Sequence, residues 1–123
     1  MPIQSYRDLE AWQLGIEFVI SIYSLTKLFP REEVYGLTSQ LRRAAVSIPS
    51  NVSEGLQRGT RAYEHYVSLA LGSLAEADTQ IEIAARLNYA TAEDLTLVAQ
   101  RCARLRQVLH GLRRSLAARQ PNP

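Results

Sequence analysis

The stretch LTLVAQRCARLRQVLHGLRRSL, residues 95–116, decides the fold. Its apolar residues Leu95, Val98, Cys102, Leu105, Leu109, Leu112 and Leu116 alternate steps of three and four, which places them as a seam on one side of an α-helix. Thr91 is positioned to cap that helix. Glu93 and Asp94 fall in its first turn and arginines crowd its end, an order that suits the helix dipole. Pro121 and Pro123 mark the tail.

The same periodicity runs backwards through the chain. Over 61–88 it puts Tyr63, Tyr66, Ala70, Leu74, Ala77, Ile81 and Ala84 on one face, with Thr60 as the expected cap. A further segment opens after Pro30, where proline is tolerated at a helix start. It spans 31–57 through Val34, Leu37, Leu41, Ala45, Ile48 and Val52. Pro49 lies inside that pattern, removing one donor and crowding the turn before it. Because the period continues into Val52 and Leu56, the segment reads as one kinked helix, with a break at Ile48 as the alternative.

The first segment, 5–28, carries two apolar stripes. Leu9, Trp12, Ile16, Val19 and Tyr23 form the expected core stripe, and Ala11, Leu14, Phe18, Ile22 and Leu25 repeat the pattern on the opposite side. A helix of a monomeric four-helix bundle buries one face. The second stripe, Ala11 to Leu25, is therefore expected to be covered by another copy of the chain.

Short connections make sequential helices antiparallel neighbours. The expected architecture is all-α: one domain over 1–123, an antiparallel up-down-up-down four-helix bundle with helices at about 5–28, 31–57, 61–88 and 92–118. At 46% apolar, 21% charged and net +2, the 123 residues are too apolar for a disordered tail. One cysteine excludes an intrachain disulfide framework and any multi-cysteine zinc site. The charge-free runs Phe18–Leu25 and Tyr66–Ala75 fall far short of the roughly 20 residues that span a bilayer. No secretory signal opens the chain, so the expected location is cytoplasmic.

Little in the sequence points to catalysis. Di-iron bundles use Glu-x-x-His pairs, whereas His65 directly follows Glu64, and Gln107 stands three before His110. No glycine-rich phosphate loop or nucleophile elbow occurs, and Cys102 sits on the apolar seam. The expectation is no enzyme, no metal and no cofactor. The one polar cluster at an odd place is Asn51, Ser53, Glu54 and Gly55 just past Pro49, with Arg42, Arg43, Arg58 and Arg86 as candidate partners for Glu54.

Charge is uneven along the chain. All 12 acids lie within residues 1–94, while 95–123 hold six arginines and no acid. On a helical wheel Arg101 and Arg104 fall on one flank of the leucine seam, Arg106 and Arg113 on the other, and Arg114 opposite it. These five and His110 are candidate phosphate contacts. The alternative is ion pairing with acids such as Glu10, Glu17, Glu76 and Glu82. No aromatic residue follows Tyr89, so RNA contact here is expected to be led by the backbone and sensitive to salt.

The run Gln40-Leu41-Arg42-Arg43-Ala44-Ala45-Val46-Ser47-Ile48 followed by Asn51-Val52-Ser53-Glu54-Gly55 resembles the signature of the four-helix bundle proteins encoded in 23S rRNA intervening sequences. Asp8-Leu9-Glu10-Ala11-Trp12-Gln13, Tyr35-Gly36-Leu37, Gly72-Ser73-Leu74-Ala75-Glu76 and Leu87-Asn88-Tyr89 fit the same pattern. The resemblance implies a ring-shaped homopentamer, no enzymatic activity, and an association with RNA or the ribosome. It singles out Arg42, Arg43, Asn51, Ser53 and Glu54 as the motif's polar cluster. Against it stands the modest net charge. A scaffold that binds a protein partner without nucleic acid is the competing reading.

Overall fold

The computed structural model describes residues 6–119. It contains four helices: α1 (Tyr6–Thr26), α2 (Leu37–Arg58), α3 (Thr60–Arg86) and α4 (Ala92–Arg119), with a 3-10 turn at Arg31–Glu33 and no strand among the described residues. The chain is a helical bundle in which α1 and α3 each pack against both α2 and α4. The expected helix start at residue 5 and the tail at Pro121 and Pro123 lie outside the described residues.

The α4 seam packs inward as its spacing requires. Val98, Cys102, Leu105, Leu109, Leu112 and Leu116 are buried, and Leu95 packs against the same core. Thr91 accepts the Asp94 N–H at 3.1 Å and donates to the Asp94 carboxylate at 2.7 Å, a reciprocal cap. At the end of α3, Asn88 adopts a left-handed φ of 59°. The Tyr89 N–H reaches the Ala84 carbonyl at 3.0 Å, which closes the helix before α4 begins.

Three expectations need correction. Thr60 is the first residue of α3, not its cap; Gly59, at φ 98°, joins α2 to α3 alone, a conformation that suits glycine. Helix α2 begins at Leu37 instead of residue 31. Glu33 is the reason: its Oε1 accepts the Leu37 N–H at 3.1 Å while its Oε2 accepts from the Tyr89 hydroxyl at 2.7 Å. Pro30 thus opens only a short 3-10 turn, and Val34 is left exposed. Beyond Leu37 the helix runs unbroken to Arg58 with Pro49 inside it, so there is no break at Ile48.

The third correction concerns α1. Ala11, Phe18 and Ile22 are fully buried and Leu25 nearly so, with Leu14 packed against them. These residues, expected to face another copy, form the core of the subunit itself. The expected core stripe faces outward instead: Leu9, Trp12 and Tyr23 are exposed, while Ile16 and Val19 are half-buried. The small residues of α1 decide the matter. Gly15 lies on the same side as Ala11 and Phe18, and a Cβ there would come within 3.2 Å of the Pro49 Cβ. Only that face brings the α1 backbone close to α2.

Phe18→Ala is therefore expected to act on folding, with a loss of about 3–5 kcal/mol of stability in a urea melt. A loss below 1 kcal/mol would contradict the core position.

Candidate functional site

The two flanks of α4 face different helices. Toward α1, Arg101 donates to Ser21 Oγ, and Arg104 Nη2 lies 2.5 Å from Glu10 Oε1. Toward α3, Arg106 Nη2 is 3.0 Å from Asp78 Oδ2 and 3.4 Å from Cys102 Sγ. Burial pushes the Cys102 thiol up to about 11, ahead of the effect of Asp78. Such a thiol is no nucleophile at neutral pH.

The rest of the candidate set is arranged differently. Arg113 Nη2 approaches His110 Nδ1 at 3.3 Å, and Arg119 donates to Ser115 Oγ at 3.0 Å. Arg114 is exposed. Neither Arg113, Arg114 nor Arg119 makes an ion pair among the described residues. Burial lowers the proton affinity of His110, and Arg113, Arg114 and Arg106 lower it further.

The motif's polar cluster does not converge on one point. Arg42 Nε donates to Thr26 Oγ1 at 2.8 Å, and its guanidinium lies 4.4 Å from the centre of the Tyr23 ring. Asn51 donates to the Ser47 carbonyl and hydroxyl, and Ser47 meets Ser73 of α3 at 2.6 Å. The carbonyl that Pro49 deprives of a donor belongs to Ala45, so Asn51 serves a neighbouring turn. Glu54 is exposed and accepts from Arg58 Nη2 at 2.7 Å, in the pairing that its cost of burial would demand only deeper in the core. Arg43 is exposed, and Ser53 lines an open groove between α1 and α2 with Trp12, Ile16, Val19, Val46 and Pro49.

One feature escaped the sequence reading. Asp8 is 1% exposed, and its Oδ1 accepts from the Tyr63 hydroxyl at 2.8 Å. Burial, and then this bond, raise the proton affinity of Tyr63. The signal was present, because Asp8 lies three residues before Ala11 and continues the buried side of α1 backwards. The bond ties the start of α1 to the start of α3, where α2 also ends: a Cβ at Gly55 would meet Tyr66 Cβ at 2.7 Å and Tyr63 Cδ1 at 2.8 Å. Arg119 acts electrostatically on Tyr63, which brings the end of α4 to the same place. Arg58, Arg61 and Arg119 therefore share one end of the bundle, and Arg113 and Arg114 lie within two turns of it along α4.

Among the described residues no group of His, Cys, Asp or Glu side chains could hold a metal ion, and no helix is long and apolar enough to cross a membrane.

The profile of the 23S rRNA-intervening sequence protein family matches residues 7–111. The chain belongs to that family. Its fold is similar to the crystal structure of a protein of unknown function from the S23 ribosomal protein family of Bacteroides thetaiotaomicron. The TM-score is 0.80 at 19% identity, over 88% of this chain and 98% of that one. At that identity the likeness is one of fold. No curated protein matches the chain. Within this intervening-sequence protein, then, the arginines of α4 divide into those held by α1 or α3 and those left unpaired at one end.

Tyr63→Phe is expected to leave the Asp8 carboxylate buried without a donor and to lower stability by about 1–3 kcal/mol in denaturant titration. A neutral result would mean that the hydroxyl contributes nothing to holding that end.

Proposed function

We propose that this intervening-sequence protein is a non-enzymatic, cytoplasmic, homo-oligomeric bundle that binds RNA or a ribonucleoprotein through the arginines at one end of each subunit. The observation that carries the reading is the division of the arginines. Arg104 and Arg106 are held by Glu10 and Asp78, whereas Arg61, Arg113 and Arg114 make no ion pair among the described residues. A phosphate at Arg113 and Arg114 meets no carboxylate ion-paired to either, and an arginine fork suits its oxygens.

The subunit topology in this proposal is up-down-up-down, with α2 bent at Pro49. Contacts between Gly15 and Pro49, and between Thr26 and Arg42, support opposite directions for α1 and α2. Assembly is supported by the exposed stripe of α1. Leu9, Trp12 and Tyr23 are joined by Val46 of α2 along an apolar face that one subunit leaves in water. The resemblance in the central motif supports a five-membered ring. Repeating one weak site around such a ring multiplies its effective affinity.

The scaffold reading is favoured by a different observation, the ion pairs of Arg104 and Arg106, which show helix-4 arginines serving the protein itself.

RNA titration of nuclease-free protein at about 50 and 200 mM salt separates the two. Binding is expected to fall steeply with salt. Arg113→Gln with Arg114→Gln is expected to weaken it about tenfold or more at the lower salt and to flatten the salt dependence. Arg104→Gln with Arg106→Gln is expected to cost far less. No binding at the lower salt would move the protein to the scaffold reading. For assembly, Trp12→Glu with Ile16→Glu is expected to give smaller species in light scattering with helicity retained. An intact oligomer would remove the α1 stripe from the interface.

A further inference from the structure

His110 is half-buried on the edge of α4 that faces α3, with Arg106 one turn before it and Arg113 and Arg114 one turn after. The 3.3 Å approach of Arg113 Nη2 to His110 Nδ1 has a chemical consequence. Guanidinium nitrogens carry donors and no acceptor, so Nδ1 offers a lone pair and the ring is neutral, its proton on Nε2. Burial and the three arginines oppose a second proton. Acids on the helices packed against α4 do not offset this. On α3, Asp78 is engaged by Arg106, Glu76 accepts from Gln80, Glu82 is paired with Arg86, and Glu64 lies four turns nearer the start of that helix than Asp78; on α1, Glu10 is engaged by Arg104 on the opposite flank of α4 and Asp8 accepts from Tyr63. A phosphate would reverse the balance, because its charge offsets the arginines and its oxygens accept from a protonated ring.

We infer that His110 belongs to the phosphate-binding cluster with Arg113 and Arg114, and that a phosphate ligand bound there takes up one proton from solvent onto the His110 ring. The inference rests on the reading of this arginine group as the RNA site. In the free protein, Arg113 donates to a neutral Nδ1. In the complex, Nδ1 carries the proton, and both the ring and the guanidinium donate to phosphate oxygens. The complex then holds more protons than its separated parts, so affinity rises as pH falls, by at most about tenfold per pH unit for one proton per site.

The test follows the single imidazole left in a His65→Gln background. The His110 ring is titrated by NMR with and without inorganic tripolyphosphate, and the binding of a labelled RNA hairpin is measured at about pH 8 and pH 6 and constant ionic strength. The titration midpoint is expected to rise by about one unit with tripolyphosphate. RNA affinity is expected to tighten about fivefold between the two pH values, a ratio that falls to near one in His110→Gln. A midpoint unmoved by tripolyphosphate, or a pH dependence that survives His110→Gln, overturns the proton linkage and leaves the RNA reading standing. RNA that fails to bind at either pH overturns the RNA reading. A midpoint that still rises with tripolyphosphate then assigns the cluster to free polyphosphate.

Discussion

The contact of Gly15 with Pro49 is the constraint on which the outer surface of this protein depends. Pro49 presents its ring toward α1, and Gly15 has no side chain to hold that ring away. The α1 backbone therefore comes close to α2 along the side that carries Ala11, Gly15, Phe18 and Ile22. The large residues on the opposite side, Leu9, Trp12 and Tyr23, are left facing water. Trp12 and Tyr23 are large enough to bury well over 100 Å² each, yet in one subunit both are exposed, Trp12 lining an open groove and Tyr23 lying under the Arg42 guanidinium. Proline inside α2 is thus more than a lost hydrogen bond: it is the surface that selects the inner face of α1.

That selection explains what the sequence revealed and what it hid. The α3 and α4 faces were legible because each helix carries one apolar stripe, and the periodicity has a single solution. Tyr63, Ala70, Leu74, Ala77, Ile81 and Ala84 on α3 are buried where the spacing puts them. Helix α1 offers two stripes, and periodicity ranks them equally. Close packing of helices rewards small residues at the crossing, so Gly15 and Ala11 mark the inner stripe where periodicity does not. The start of α2 was hidden for another reason. Glu33 draws its role from Tyr89, a residue 56 positions away, and no local pattern in the sequence records that bond. Asp8 was legible in principle, since it falls on the buried stripe once the correct stripe is chosen.

The candidate site was half legible. The helical wheel placed Arg101 and Arg104 on one flank and Arg106 on the other, and these flanks meet α1 and α3. Which arginines find acids depends on the register between helices. Arg104 meets Glu10, one of the acids expected to pair, whereas Arg106 meets Asp78, because the offset between α3 and α4 is set by packing along their whole length. The family motif misleads in the opposite way. Its polar residues are close in sequence, yet Arg42 turns to α1, Asn51 to its own backbone and Glu54 to Arg58. On a helix, neighbours in sequence point in different directions.

Solvent-exposed ion pairs are weak, about 0–1 kcal/mol each, so pairing alone does not remove Arg104 or Arg106 from reach of a ligand. Their carboxylates do. A phosphate approaching Arg104 must also approach Glu10, and one approaching Arg106 must approach Asp78, so attraction and repulsion nearly cancel at the same spot. No such acid accompanies Arg113 and Arg114 among their described contacts; the group beside them is a neutral imidazole. The second half of α4 thus concentrates what the modest net charge conceals. Acids within residues 1–94 balance the chain as a whole, while residues 95–123 carry six arginines and no acid. Net charge measures the sum, but a polyanion responds to the arrangement.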